Sequence, residues 1–458
     1  MAVQTATFEK TIRTLLDEKK YQTIKDVLVT MEPADIAAVF DDFGEERMAL
    51  LFRLLPKETA AETFAELESE IQETLIRGFS DRELHELVNE LYVDDAADLV
   101  DEMPANVVKR ILAQADPQMR KEINEILRYP ENSAGSIMTT EYVSLRPKMT
   151  VAEAITRIRR TGVDKETIYT CYVTEGRKRL GAVSVKDLLL ASDDEAKVSS
   201  LMDENVISVN TLTDQEEVAQ LLSKYNFLAL PVVDTDGRMV GIVTFDDAMD
   251  VLVEETTEDI EKMAGMLPSE KAYLRSSAWD LFKHRIPWLM LLMISATFTG
   301  MIITGFEDAL AAQVVLTAFI PMLMDTGGNS GSQASVTIIR ALSLGELEFA
   351  DLPRVIWKEV QTAFLCGLAL AALCFLKIML FDRMLLGNSG ISIMTAFVVC
   401  ATMAVTVLIA KMVGCTLPML AKSLGFDPAV MASPFITTIV DALSLLVYFG
   451  LASALLFG

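Results

Sequence analysis

PFITTIVDALSLLVYFGLASALL (434–456) is a run of 23 almost wholly apolar residues with one carboxylate, Asp441, set inside it. About 20 such residues cross a bilayer as a helix, so the segment reads as membrane-spanning. A carboxylate at that depth costs about 2.5–3.5 kcal/mol on insertion scales and must face protein, water or an ion. Thr437 and Thr438 lie one helical turn before Asp441 and Ser444 follows at i+3, so part of that face is polar. Either the face hydrogen-bonds a neighbouring helix or it lines a wet pathway. The rarity of idle ionisable groups in membranes favours the pathway.

Apolar runs at about 286–306, 312–342, 355–381 and 391–420 precede the last, at 430–457. Each is near or above the length of a bilayer crossing. Arg340, Arg354 and Lys358 flank the second-to-third connection, and Lys411 and Lys422 the fourth-to-fifth. The first-to-second connection carries only Glu307 and Asp308, the pattern expected if the N-terminal side is cytoplasmic. Arg383 runs against it and is balanced by Asp382. The second run is interrupted by DTGGNSGSQ (325–333), which has no aliphatic side chain and cannot face lipid. Non-helical or glycine-weakened backbone is tolerated there only inside protein or beside a cavity. Small-residue helix packing explains the glycines. It leaves Asp325, Asn329 and Gln333, spaced by four on one helical face, without a reason, and they are assigned to a pore lining. Pro418 and Pro434 predict kinks nearby.

The 458 residues suggest about three domains. From Ile286 onward there are 10 acidic and 7 basic residues, against 55 and 33 before it, so nearly all of the net charge of −25 lies in the first 285. That acidity excludes a nucleic-acid partner, which needs a basic footprint. The N-terminal MAVQTATFEKTIRTLLDEKK has no apolar core of signal-peptide length, so residues 1–285 are expected to stay in the cytoplasm. Five cysteines without CxxC or Cys/His spacing, and only two histidines, argue against disulfides, zinc and thiol catalysis. No nucleophile–base set or phosphate loop indicates an enzyme.

Residues 1–130 repeat short amphipathic segments, as in DIAAVFDDF (35–43), ELHELVNELY (83–92) and DAADLVDEMP (95–104). Such helices stack by burying their stripes on their neighbours. Beyond them the chain contains two matching halves, carried by YVTEGRKRLGAVSVKDLLL (172–190) and LPVVDTDGRMVGIVTFDDAMD (230–250). The pair resembles tandem CBS units, which bind adenosine nucleotides through a Ser/Thr followed three residues later by Asp. Ser184/Asp187 and Thr244/Asp247 fit that pattern, although the same aspartates could simply cap the next helix. Residues 251–285 read as one long polar helix.

The sharpest soluble feature is DDAMDVLVEETTEDIE (246–261), with eight carboxylates and no basic residue. Asp246, Asp250, Glu254 and Glu258 share one helical face, with Asp247, Glu255 and Asp259 beside it. Like charges at this spacing each cost an isolated helix about 0.2–0.5 kcal/mol. Asp94, Asp95, Asp98, Asp101 and Glu102 offer a second acidic surface, and divalent bridging between the two is expected rather than a solvated run. Carboxylates, carbonyls and waters suit hard cations, and Mg²⁺ in particular keeps its waters and takes one or two carboxylates.

PMLMDTGGNSGSQASVTIIRAL (321–342), EETTEDIEKMAG (254–265) and GFDPAVMASPFITTIVDALSLLVYF (425–449), in this domain order, resemble the MgtE family of magnesium channels. The resemblance implies a multi-domain membrane protein: an all-α helical N domain (1–130), an α/β tandem CBS pair (131–254), a connecting plug helix (255–280) and an α-helical transmembrane bundle of five helices (281–458). It implies a homodimer in the cell membrane that takes up Mg²⁺, with ATP at the CBS pair. Asp441 matches the pore residue that holds hydrated Mg²⁺, and Asp427 lies near the cytoplasmic mouth. Asp94, Asp98, Asp247, Asp250, Glu255, Glu258 and Asp259 fall at sensor positions. Asn226 stands where an acidic sensor residue can occur, and its neutral amide weakens or removes one regulatory site. High internal Mg²⁺ would bridge the acidic faces and shut the pore. The competing readings are an H⁺- or Na⁺-coupled transporter and a membrane-tethered nucleotide sensor.

Overall fold

The structure, a computed structural model, describes residues 2–456 apart from 41–42, 270–272, 274–275, 388–389 and 432. Two compact units divide the chain, Met1–Leu252 and Val253–Gly458.

In the first unit the described residues up to 126 form ten helices. They are α1 (Ala2–Asp17), α2 (Tyr21–Leu28), α3 (Pro33–Phe40), α4 (Glu45–Phe52) and α5 (Lys57–Ala65), then α6 (Ser69–Gly78), α7 (Asp81–Val88), α8 (Val93–Glu102), α9 (Ala105–Gln114) and α10 (Pro117–Ile126). Helices this short are marginal alone and hold their shape by burying one stripe. Here α1 packs on α3, α3 on α5, α5 on α7, α7 on α9 and α8 on α10. One core runs through the stack, including Ile12, Phe40, Phe64, Leu84 and Ile111. Local signals set the ends. Ser80 and Glu83 form a reciprocal capping box at α7, with the Ser80 N–H donating to the Glu83 carboxylate at 2.8 Å.

The two halves that follow have one topology. β1 (Tyr142–Leu145), α11 (Val151–Thr161), β2 (Thr167–Glu175), β3 (Lys178–Ser184) and α12 (Val185–Leu189) make the first. β4 (Val209–Asn210), α13 (Gln215–Tyr225), β5 (Ala229–Val233), β6 (Met239–Thr244) and α14 (Phe245–Met263) make the second. In each sheet the first pair is parallel and the second antiparallel. The halves interlock: Thr139, before the first, bridges Ile242 in β6, and Asp203, before the second, bridges Ala182 in β3. This explains a glycine at the same place in each half. A Cβ on Gly181 would sit 2.5 Å from the Asp203 carbonyl oxygen, and one on Gly241 2.7 Å from that of Thr139.

α14 ends at Met263, so the long helix expected over 251–285, and the plug helix over 255–280, are shorter than read from the sequence. Gly265 takes φ +70 and Met266 N–H closes back on the Glu261 carbonyl at 2.9 Å, a glycine stop followed by Pro268. Of the expected plug, residues 270–272 and 274–275 lie outside the described residues. The chain next becomes helical at α15 (Ala278–Gly305), capped by the Ser277 hydroxyl.

After α15 come α16 (Glu307–Ala312), α17 (Ile320–Ser343), α18 (Leu352–Lys377), α19 (Ile393–Ser423) and α20 (Ser433–Leu456). α18 continues as π-helix to Leu385. Among the described residues four stretches have the length and composition to span a membrane: Ala278–Gly305, Phe349–Leu385, Ile393–Ser423 and Pro428–Leu456. α19 is at the centre, packed against α17, α18 and α20.

α17 runs unbroken through the stretch expected to interrupt it. Its glycines serve helix packing instead: Gly327 meets Thr406 and Val440, and Gly331 meets Ile436 and the Ala410 carbonyl. Pro434 is the second residue of α20, where no intrahelical N–H is needed, so it produces no kink. Pro418 does lie inside α19. Lys411 does not flank its helix. Its buried side chain lies 3.7 Å from Glu359 of α18, a pairing no local pattern reveals.

A Cβ on Gly414 would overlap the Gly331 carbonyl oxygen and press Ala334 at 3.2 Å. Gly414→Ala is therefore expected to cost about 1–3 kcal/mol of bundle stability, read as a lower unfolding midpoint in detergent. Gly450→Ala, which meets nothing within 4 Å, is the neutral control.

Candidate functional site

Carboxylates from three elements meet in the first unit. Asp94 and Asp95 lie in the first turn of α8, Glu166 just before β2, and Asp246 and Asp247 in the first turn of α14. Asp94 is only 6% exposed. Its Oδ1 accepts from the Asp95 N–H at 3.1 Å, and the Val93 N–H donates to Glu141 Oε2 at 3.3 Å. Asp247 accepts from the hydroxyl and N–H of Thr244. Glu166 Oε2 is buried without a hydrogen-bond partner.

Burial, reinforced by neighbouring negative charge, raises Asp94, Asp95, Glu166 and Asp247. Asp95 moves up to about 7, Glu166 to about 8 and Asp247 to about 6, and Asp94 rises well above the ordinary carboxylate range. Glu66 and Asp250 rise for the same reasons. The largest charges acting on Asp94, Asp95, Glu166 and Asp247 among the described residues belong to other carboxylates rather than to Lys or Arg. Among the described residues no three His, Cys, Asp or Glu converge tightly enough to bind a bare metal ion. A cation here would keep water and touch one or two carboxylates, the habit of Mg²⁺. Asp98 lies one turn beyond Asp94 and is exposed. Glu166 was not legible as a site residue: in VDKETIY it is an ordinary loop acid beside a lysine.

The nucleotide-type motifs form local caps. Ser184 Oγ accepts from the Asp187 N–H at 3.0 Å and donates to its carboxylate at 2.6 Å, and Thr244 donates likewise to Asp247. Asn226 takes the left-handed conformation, φ +54, at the end of α13, a conformation that asparagine adopts more readily than most side chains.

In the second unit Asp441 of α20 is half-buried, within range of the charge of Asp325 on α17. Asn329 donates to Asp325 Oδ1 at 3.1 Å, and Asp325, Asn329 and Gln333 are all exposed along one face of α17. The Thr437, Thr438 and Ser444 hydroxyl protons go to backbone carbonyls of their own helix, at 2.9, 3.1 and 2.6 Å. Their oxygen lone pairs stay available. Near the end of α14, Asp259 Oδ2 accepts from the Ser343 hydroxyl at 3.1 Å. Lys262 Nζ lies 2.6 Å from Asp427 Oδ2 and contacts Glu258 as well. Glu255 is on the same helix, one turn before Asp259.

A stacked-helix domain, an interlocked CBS pair with a carboxylate cluster, and an apolar helix bundle with a carboxylate inside it define a multi-pass membrane protein for divalent cations. Known proteins agree. A family model described as a divalent cation transporter matches residues 320–451, one for the MgtE intracellular N domain matches 31–132, and one for CBS domains matches 134–194 and 198–254. The magnesium transporter MgtE of Thermus thermophilus is 38% identical over 447 residues, covering 96% of this chain and 97% of its own. That of Bacillus subtilis is 34% identical, covering 99% of each. The solved cytosolic domain of the Mg²⁺ channel MgtE in complex with ATP covers 53% of this chain and 99% of its own, at 39% identity and a TM-score of 0.51. The chain belongs to the MgtE family, whose curated relatives are magnesium transporters.

Proposed function

We propose that the chain is a Mg²⁺-selective channel for magnesium uptake, working as a homodimer with five membrane-spanning helices per subunit and closed by intracellular Mg²⁺. One observation carries the gating: Asp94, Asp95, Glu166 and Asp247 lie within range of one another's charge, and the charges acting on them among the described residues are acidic. At neutral pH that arrangement needs positive charge from solution. Mg²⁺ favours the closed-up form and its loss releases mutual repulsion, so the ion shifts a population between two states. Asp98, Asp250, Glu255, Glu258 and Asp259 extend the acidic surface along α8 and α14. α14 passes from one unit into the other and carries the signal. Asp441, doubled by the dimer, holds hydrated Mg²⁺ in the pore, with Asp325, Asn329 and Gln333 along the lining and Asp427 at the mouth.

ATP is assigned to the CBS pair, with Ser184, Asp187 and Thr244 toward the ribose, because a relative's cytosolic domain was solved with ATP. Mg²⁺ flux into liposomes, with cation concentration varied on the sensor side, tests the main reading. Flux is expected to follow the Mg²⁺ gradient and to fall as sensor-side Mg²⁺ rises. Flux that follows an imposed pH or Na⁺ gradient instead would establish a coupled transporter.

A further inference from the structure

We propose that Lys262 is a built-in counter-cation, joining Glu258 and Asp427 through a tethered ammonium rather than a dissolved divalent ion. The inference rests on the channel reading above and reassigns Glu258, expected to serve Mg²⁺, together with Asp427, expected at the pore mouth. Lys262 Nζ is 2.6 Å from Asp427 Oδ2 and in direct contact with Glu258 Oε1. Glu258 and Lys262 are spaced i,i+4 with the acid first, the orientation that pairs best on a helix. Asp427 is aimed by its own loop, since its second oxygen, Oδ1, accepts from the Ala429 N–H at 2.7 Å. Burial works against the lysine charge, but hydrogen bonds to Asp427 and Glu258 outweigh it and keep the ammonium protonated.

The end of α14 and the residues just after it are held at two more points. Asp259 accepts from Ser343 at the end of α17, and Gly265 packs so closely on Pro434 that a Cβ there would approach its Cγ at 2.9 Å. Lys262 therefore links the end of α14 to the loop that leads into α20. To take its place, a Mg²⁺ ion would have to shed water, which it does reluctantly. It would also have to displace an ammonium held at high effective concentration by its own helix. The contrast with the cluster at Asp94, where the leading charges among the described residues are all acidic, divides the labour. Solution Mg²⁺ acts at the cluster, and the contact at the mouth is independent of it.

The test uses the full chain in liposomes. Lys262→Met is expected to raise flux at saturating sensor-side Mg²⁺ roughly ten-fold. The Mg²⁺ concentration that protects residues 1–252 from trypsin should stay within about two-fold of wild type. Lys262→Glu combined with Asp427→Lys keeps one cation between two acids and is expected to restore closure. An unchanged Lys262→Met leak, a protection midpoint shifted further than that, or no rescue by the swap would overturn the assignment. A readout independent of flux is disulfide formation between Asp259→Cys and Ser343→Cys. It should slow several-fold when Lys262→Met is added, and equal rates would also overturn it. If wild type passes no Mg²⁺, the channel reading fails, while the cross-linking rates still decide on Lys262.

Discussion

Asp441→Ala is expected to reduce Mg²⁺ flux at least ten-fold, and Asp441→Asn by nearly as much. The asparagine variant keeps size and shape, so its loss would isolate the charge. In the proposed pore a passing divalent ion would give up part of its contact with bulk water, and a fixed carboxylate would offset part of that cost. The site around Asp441 suits this role. Its charged neighbour is another acid, Asp325, and among the described residues neither forms an ion pair with a lysine or arginine. Thr437, Thr438 and Ser444 have spent their protons on their own helix and present oxygen. Such a surface attracts cations and repels anions. Asp325→Asn should cost only a few-fold, because Asn329 already draws on one of its oxygens. The measurement is initial Mg²⁺ uptake by liposomes at matched protein content. Wild-type uptake by Asp441→Ala would remove the pore assignment.

What could be seen in the sequence was what local pattern encodes. The apolar runs, the repeated β-α-β-β-α order and the acid-rich start of α14 are each continuous in the chain. Contacts between distant residues are not. Glu166 joins the cluster only because the loop before β2 folds against α8 and α14, and nothing in its flanking residues marks it. Lys411 shows as a charge near a membrane segment, but its burial against Glu359 depends on α18 lying beside α19. α17 was misread for a physical reason. Glycine weakens an isolated helix by about 1 kcal/mol per residue relative to alanine, so a glycine-rich stretch suggests a break. In the bundle the missing side chains let α19 and α20 approach, and packing offsets the lost propensity. Lys262 was the most legible omission, since a lysine four residues after Glu258 is a ready helix pair.

Asp247→Asn is expected to remove a large part of the Mg²⁺ dependence of closure, read as a smaller difference in flux between low and high sensor-side Mg²⁺. The argument begins with protons. Asp247, Asp95 and Glu166 bind protons up to about pH 6, 7 and 8 when packed together, whereas free carboxylates release them near pH 4. The packed form thus holds more protons than the separated one, and its stability must fall as pH rises. That stability is complete below about pH 4 and is lost as pH passes through 6 to 8, at about 1.4 kcal/mol per pH unit for each group in transition. Without divalent ions, resistance of residues 1–252 to trypsin should therefore decline between pH 5 and about 8. Millimolar Mg²⁺ should restore it at pH 8 and add little at pH 5, because protons and Mg²⁺ relieve the same repulsion. In Asp247→Asn the decline should be shallower and the Mg²⁺ response smaller, since one source of repulsion and one ligand are gone together. A wild-type response to Mg²⁺ that is as large at pH 5 as at pH 8 would show that these carboxylates are not where the ion acts.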